Sequence, residues 1–139
     1  MEKLIRFGVS VDKKLLDKFD ALISKHKYSN RSQAIADFMR EKLVEQDWNT
    51  QKNKVAATIS LVYSHHRRAM LNKVVDIQHD FEKIIISTQH IHLDHDNCLE
   101  IIAAFGKGQK ILDLAQRLRA VKGIKHASFT MTTSGKQMT

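Results

Sequence analysis

The feature that most constrains this chain is a single strand-like segment near its start. Residues 5–11, IRFGVSV, alternate apolar with polar or small residues, which is the pattern of a strand with one apolar face. The apolar positions are Ile5, Phe7, Val9 and Val11, and the others are Arg6, Gly8 and Ser10. Since the first 47 residues offer no second strand to pair with it, a second chain must supply the partner. The pattern predicts an antiparallel two-stranded ribbon between two copies.

Two helices are predicted after this segment. Asp12 can cap the first, whose apolar residues recur at helical spacing from Leu15 to Ile23. Ser29 or Asn30 can cap the second, which follows the turn at KYSN. One strand and two short helices cannot bury enough surface alone, so two copies would share one core and turn the polar face of the ribbon outward. A two-stranded ribbon of this kind fits the major groove of DNA.

This N-terminal half resembles a ribbon-helix-helix DNA-binding domain, through residues 5–23 and 28–43. The resemblance implies that Arg6, Gly8 and Ser10 face the bases, although glycine has no side chain with which to read one. The free N–H groups at the start of the second helix suit a phosphate, so Asn30 and Arg31 are candidate contacts to the DNA backbone. The alternative for Arg6, Gly8 and Ser10 is that they form the solvated face of an edge strand and do not contact DNA.

The polar stretch EQDWNTQKNK, residues 45–54, indicates a join between two halves. We expect a ribbon-helix-helix domain at residues 1–47, a linker at 48–54 and a second domain at 55–139. Residues 55–133 follow the order strand, helix, strand, strand, helix, strand. This βαββαβ order is typical of a ferredoxin-like, ACT-like sandwich, in which two helices cover one face of a four-stranded antiparallel sheet. The predicted fold class is α+β.

The second domain carries the only cysteine of the chain in a histidine-rich stretch, QHIHLDHDNCLE. His90 and His92 are two positions apart on a predicted strand, so both imidazoles project from one face. A tight turn would bring Cys98 within their reach, and Glu100 follows on the same side as Cys98. His79, at the end of the preceding helix, is a candidate fourth ligand that a neighbouring subunit could supply. Such donors suit tetrahedral zinc or square-planar copper or nickel, and donor type does not choose among these metals.

The order of these motifs is similar to that of the NikR family of nickel-responsive transcription regulators. IQH, HIHLDHDNC and LEI lie in the βαββαβ half behind a ribbon-helix-helix half, and the resemblance covers residues 4 to about 133. It implies one square-planar nickel ion per chain, bound by His90, His92 and Cys98 of one chain and His79 of another. It also implies a homotetramer, a dimer of dimers, that represses transcription by binding double-stranded operator DNA.

Further residues receive roles by proximity or by the same resemblance. Gln78 and Glu100 are expected to hold the metal ligands through hydrogen bonds. Arg67 and Arg68 are expected to reach the DNA backbone, with a solvated helix start as the alternative. Gln33 stands where family members can carry an acidic ligand for a second cation, which leaves only the charge of Asp37 there. His95 lies in the turn and resembles a family position that is not a primary ligand. Surface or packing roles are expected for the other histidines, which are His26, His65, His66 and His126.

Composition excludes some classes of protein. No apolar run approaches the roughly 18 residues that cross a bilayer, and a lone cysteine is typical of a reducing compartment, so we expect a cytoplasmic protein without a membrane partner. The net charge of +8 suits a polyanion. A metal chaperone and a zinc- or copper-dependent enzyme are the alternative functions. A chaperone has no use for a paired ribbon, and an enzyme lacks an evident general base, so we expect a regulator.

Overall fold

The computed structural model divides the chain into two compact units, Met1–Glu41 and Lys42–Thr139. It describes residues 3–50 and 53–136, apart from the side chains of residues 49 and 50. The N-terminal unit contains helix α1, Lys13–Lys25, and the start of helix α2, Arg31–Thr50. The Asp12 carboxylate accepts a hydrogen bond from the N–H of Leu15 at 3.2 Å, which confirms the predicted cap of α1. Asn30 caps α2 in the same way, with Gln33 as the donor at 2.9 Å.

The strand predicted at residues 5–11 does not form in the single chain, where residues 3–12 have no regular secondary structure. A strand requires a hydrogen-bonded neighbour, and the described residues of this unit contain none. The apolar side chains of this segment are consequently exposed, at 78% for Ile5, 64% for Phe7 and 66% for Val9. The paired ribbon stays a prediction.

The predicted linker also differs from the structure, because α2 continues to Thr50 and residues 48–50 are helical. No proline or glycine interrupts residues 31–50, so nothing in the local sequence stops the helix. Trp48 is only 4% exposed, and its indole N–H donates to the carbonyl of Thr132 at 3.0 Å. Its ring packs on Phe129 and on Gly108, where a Cβ atom would lie 3.2 Å from the ring. The end of α2 therefore belongs to the core of the second unit.

The second unit has the predicted βαββαβ order. Its elements are β1 Lys54–Ser64, α3 Arg68–Asp80, β2 Ile85–His92, β3 Asn97–Lys107, α4 Gly108–Arg119 and β4 Ile124–Met131. The strands form one antiparallel sheet in the order β2-β3-β1-β4, with β2 at an edge. This order is the one expected for a ferredoxin-like sandwich, so the prediction of an α+β fold with a four-stranded antiparallel sheet is confirmed.

Alternate residues of the two central strands are buried, which divides the sheet into two different faces. The helix-covered face carries Ile59, Leu61 and Tyr63 of β1 and Cys98, Glu100 and Ile102 of β3. These residues pack with Met70, Val74 and Ile77 of α3 and with Leu114 and Leu118 of α4. The open face, which carries Leu99, Ile101 and Phe105, is only partly buried. No helix among the described residues is long and apolar enough to span a bilayer.

Candidate metal centre

The β2–β3 hairpin brings three of the predicted metal ligands, His90, His92 and Cys98, to one end of the helix-covered face. In the antiparallel register His92 lies opposite Cys98 and His90 lies opposite Glu100. Residues directly opposite each other on antiparallel strands project to the same side, so all four side chains share the face of Cys98 and Glu100. Cys98 and Glu100 are each 2% exposed, whereas His90 and His92 lie on the edge strand and are exposed. The group therefore has a buried side and a side that is open to solvent.

Contacts within this group centre on His90. Its Nδ1 atom lies 3.9 Å from Sγ of Cys98 and 3.3 Å from the hydroxyl of Tyr63. Its Nε2 atom lies 2.5 Å from a carboxylate oxygen of Glu100. The other oxygen of Glu100 accepts a hydrogen bond from the amide of Gln78 at 2.9 Å. A neutral imidazole that donates from Nε2 to this carboxylate keeps its Nδ1 lone pair on the side of the thiol.

The buried position changes the acid–base properties of this group. Burial raises the pKa of Glu100, and the neighbouring His90 and Gln78 oppose the rise by favouring its ionised form. Burial, together with the charge of Glu100, raises the pKa of Tyr63 well above its ordinary range. Tyr63 therefore stays a hydrogen-bond donor at neutral pH. Cys98 could ligate a metal only as a thiolate, and the bound cation would then balance the negative charges of that sulfur and of Glu100.

The structure does not bring all the predicted ligands together. His92 lies opposite Cys98 in the register, and its ring centroid is 5.2 Å from that of His65. The side chain of His79 is 79% exposed near the end of α3, with its Nδ1 atom 3.7 Å from Glu82. Within the part of the chain that the structure describes, no hydrogen bond or ion pair links His79 to the other predicted ligands. That His79 ligates a metal ion bound by a second chain stays a prediction.

The predicted DNA contacts are exposed, and two of them are already engaged within the chain. Arg6, Gly8 and Ser10 lie in the exposed segment before α1. Asn30 caps α2, as described above. The guanidinium of Arg31 forms a two-point ion pair with Asp20, at 2.9 and 2.7 Å, and holds the pKa of that carboxyl below its usual range. The ion pair with Asp20 occupies Nε and one terminal nitrogen of Arg31 and neutralises part of its charge, which weakens its attraction for a phosphate.

Arg67 and Arg68 begin α3 and are both exposed. With Met70, Lys73 and Lys122 they line a cavity of about 400 Å³. The four basic side chains give this surface a strongly positive potential, which suits a phosphate.

Gln33 and Asp37 are the two residues on which the family's second cation site depends in this sequence. The hydroxyl of Tyr28 donates to the carboxylate of Asp37, and this hydrogen bond raises the pKa of Tyr28. The amide oxygen of Gln33 accepts from the N–H of Ser29 at 2.8 Å. Both side chains therefore have protein partners within the N-terminal unit.

Sequence reasoning missed a second group of ligands. His66, His95 and Asp96 bring three ligand atoms within 4.8 Å of one another, and no other set of His, Cys, Asp or Glu side chains among residues 3–50 and 53–136 does so. The sequence suggests no shared role for these residues, because His66 and His95 lie far apart in it. The signal that could have found them is the β1–β3 register, in which Ser64 pairs with Asn97. That register sets the residues after β1 beside the turn at residues 93–96.

Comparison with known proteins identifies the family. Residues 56–132 match the model of the NikR C terminal nickel binding domain. A nickel-responsive regulator of Syntrophus aciditrophicus is 48% identical over 136 residues, which cover 98% of each chain. The chain belongs to the NikR family. A nickel-responsive regulator of Nitratidesulfovibrio vulgaris (strain DP4) is 47% identical over 139 residues, with full coverage of both chains. The resemblance to NikR regulators seen in the sequence is thereby confirmed.

A solved structure gives a likeness of fold alone. An uncharacterized protein from Thermotoga maritima superposes with a TM-score of 0.52 at 14% identity, over 57% of this chain and 98% of that one. At such low identity the likeness shows a shared fold and carries no argument about ligands.

Proposed function

We propose that this NikR-family chain is a nickel-responsive, DNA-binding transcription regulator that acts as a repressor. Its nickel ligands are His90, His92 and Cys98 of one chain and His79 of another, in the square-planar set that the family resemblance implies, with one ion per chain. The observation that carries the proposal is the 3.9 Å approach of the Cys98 thiol to the His90 imidazole beside the buried Glu100. The function is regulatory, includes no catalytic step, and operates on DNA in the cytoplasm.

The donor atoms fit a transition metal. An ion that lies about 2.0–2.3 Å from nitrogen and sulfur donors can bridge atoms up to about 4.4 Å apart, as the distances at zinc sites indicate. Nδ1 of His90 and Sγ of Cys98 are 3.9 Å apart, which is within that limit. The carboxylate of Glu100 lies against Nε2 of His90, the nitrogen that does not face the thiol, as carboxylates commonly do for metal-binding histidines. Glu100 in turn accepts a hydrogen bond from the amide of Gln78. Thiolate and imidazole donors suit several metals, and the names of the relatives favour nickel among them.

A second chain completes this ligand set in the proposed assembly. His79 is exposed at the end of α3, where another chain can approach it. The open face of the sheet carries Leu99, Ile101 and Phe105, apolar side chains that one chain covers only in part. Burying these residues between subunits would stabilise an oligomer. These features support an oligomer, and the homotetramer of the proposal, a dimer of dimers, is the one that the family resemblance implies.

The N-terminal unit supports the DNA-binding part of the proposal. A groove of about 370 Å³ is lined mainly by apolar residues; they are Val9, Val11, Leu15, Leu16, Phe19 and Ile35, with Arg31 at its side. The same unit in a second chain can cover this groove and pair the two segments before α1. The ribbon so formed would turn Arg6, Gly8 and Ser10 toward the major groove. Arg67 and Arg68 would add contacts to phosphates.

The regulatory step is a linkage between two kinds of binding. His79 of one chain and the His90–Cys98 pair of another, once they share an ion, hold two subunits in one arrangement. If that arrangement lets both ribbons reach one DNA duplex, the second ribbon binds at a high effective concentration and affinity rises without new contacts. By reciprocity, DNA must raise the affinity for nickel by the same factor. Occupation of the operator then represses transcription.

The test is a gel-shift titration with DNA enriched from a random duplex pool by the parent protein in the presence of nickel. We expect the parent to retard this DNA only with nickel, and Cys98→Ala and His90→Ala to lose the nickel dependence. His126→Ala, which alters an exposed histidine of β4, is the matched control and should behave as the parent. Failure to enrich any DNA would favour a metal chaperone, and unchanged nickel dependence in Cys98→Ala would refute the ligand assignment.

A further inference from the structure

The histidine cluster that sequence reasoning missed lies at the solvent-exposed tip of the second unit. Nε2 of His66 is 3.2 Å from a carboxylate oxygen of Asp96, and the rings of His66 and His95 have centroids 5.6 Å apart. One nitrogen of each imidazole and one oxygen of Asp96 all lie within 4.8 Å of one another. All three residues are exposed. An ion can therefore reach them from solvent.

The fold fixes the two segments that carry these ligands. The N–H of His65 donates to the carbonyl of Asp96 at 3.2 Å, which ties the end of β1 to the β2–β3 turn. The carboxylate of Asp94 accepts from the N–H groups of Asp96 and Asn97, at 2.8 and 2.7 Å, and so closes the turn on itself. Ligands held in this way lose little conformational freedom when an ion binds.

A further histidine, His65, lies beside this cluster. The Nδ1 atom of His65 is buried and, among the described residues, has no hydrogen-bond partner. The ring of His65 lies 4.1 Å from the ring of His66, centroid to centroid, and 5.2 Å from that of His92. His65 thus lies between the cluster and the proposed nickel ligands.

We propose that His66, His95 and Asp96 form a second site for a divalent transition metal, separate from the Cys98 site. Two imidazoles and one carboxylate suit zinc, copper or nickel, whereas calcium and magnesium prefer ligand sets made only of oxygen. Three protein donors leave at least one position to water, as at open zinc sites. The site therefore exchanges its ion more readily than the buried one and produces no sulfur-to-metal absorption. It does not depend on the nickel assignment, because it shares no ligand with it.

The test measures metal bound per full-length chain by equilibrium dialysis with Zn²⁺ alone and with Ni²⁺ alone. The double variant His66→Ala/His95→Ala should bind one ion per chain fewer than the parent and should keep the sulfur-to-nickel absorption. The same loss is expected when the double substitution is added to Cys98→Ala. His26→Ala, which removes an exposed histidine from the other unit, is the control and should lose none. Thermal unfolding followed by circular dichroism checks that each variant is folded.

The outcomes separate this site from the proposed nickel centre. If the double substitution leaves the stoichiometry equal to that of His26→Ala, the second site does not exist. If Cys98→Ala alone leaves the nickel stoichiometry and absorption unchanged, the nickel centre fails, while the loss caused by the double substitution still counts for the second site. Cu²⁺ offers an independent readout, because its electron paramagnetic resonance spectrum in Cys98→Ala should show coupling to imidazole nitrogen that the double substitution reduces.

Discussion

Trp48 gives the sharpest test of how the chain is organised, because the sequence put it in a linker and the structure puts it in a core. Its side chain is 4% exposed and packs with Val55, Ala57 and Ile111. Truncating a buried tryptophan to alanine removes that contact area and leaves a cavity, which typically costs about 3–5 kcal/mol of unfolding free energy. We expect Trp48→Ala to lose that amount.

Two companion variants separate the contribution of ring packing from that of the indole hydrogen bond and from the effect of a substitution at an exposed position. Trp48→Phe keeps most of the ring packing and loses the hydrogen bond from the indole N–H to the carbonyl of Thr132, so it should cost about 1 kcal/mol from that bond plus a smaller packing loss. Gln46→Ala changes an exposed residue on the same helix and should stay within about 0.5 kcal/mol of the parent.

The assay is urea unfolding followed by far-ultraviolet circular dichroism at one fixed protein concentration, since an oligomer makes the midpoint depend on concentration. With a slope of about 1–3 kcal/mol/M, Trp48→Ala should lower the midpoint by about 1 M or more. A midpoint equal to that of Gln46→Ala would refute the reasoning, because it would mean that Trp48 contributes as little as a solvated linker residue.

Two further predictions concern charged side chains. Asp20→Asn should free Arg31 and raise the affinity for duplex DNA by up to about fivefold, the upper range for an exposed ion pair. Fluorescence anisotropy at fixed salt measures this, with Glu41→Gln, which removes an exposed charge from the same unit, as the control for lost charge; equal effects would contradict the idea. Hydrogen bonds from Asn97 lower the pKa of Asp94 to about 2 from an ordinary 3.8, so the unfolded chain binds more protons in that range. The stability contributed by Asp94 is therefore fully present above its unfolded pKa and is lost progressively as the pH falls from there to the folded pKa of about 2. The stability difference between the parent and Asp94→Asn should shrink from about pH 5 to about pH 3 in urea titrations, and a constant difference would contradict the assigned hydrogen bonds.

Most of the second unit could be predicted from local patterns. Alternation along β1 and β3, helical spacing in α3 and α4, and the absence of long loops were enough to give the βαββαβ order. The end of α2 could not be predicted in this way. Its residues are polar apart from Trp48, and several of the groups that bury Trp48 come from β4 and α4, far away in the sequence. Local polarity alone therefore indicated a linker.

The residues of the candidate sites likewise differ in whether local sequence patterns could place them together. Two-residue alternation and a short turn sufficed to predict that His90, His92, Cys98 and Glu100 share a face, because a hairpin is a local structure. The contact of His66 with Asp96 depends on how the end of β1 aligns with a distant turn, which no local pattern specifies. The ribbon before α1 depends on a second chain, so the single chain leaves its apolar residues exposed.

The register of the β2–β3 hairpin makes the length of its turn as important as the identity of its ligands. Since successive strand residues alternate between faces, losing or gaining one residue at positions 93–96 would set His92 against a residue of the open face and turn the thiol away from the imidazoles. Substitutions in this turn, by contrast, leave the alignment of the strands intact. The arrangement of the proposed nickel ligands on this hairpin therefore tolerates amino-acid substitutions in the turn but not the insertion or deletion of a single residue there.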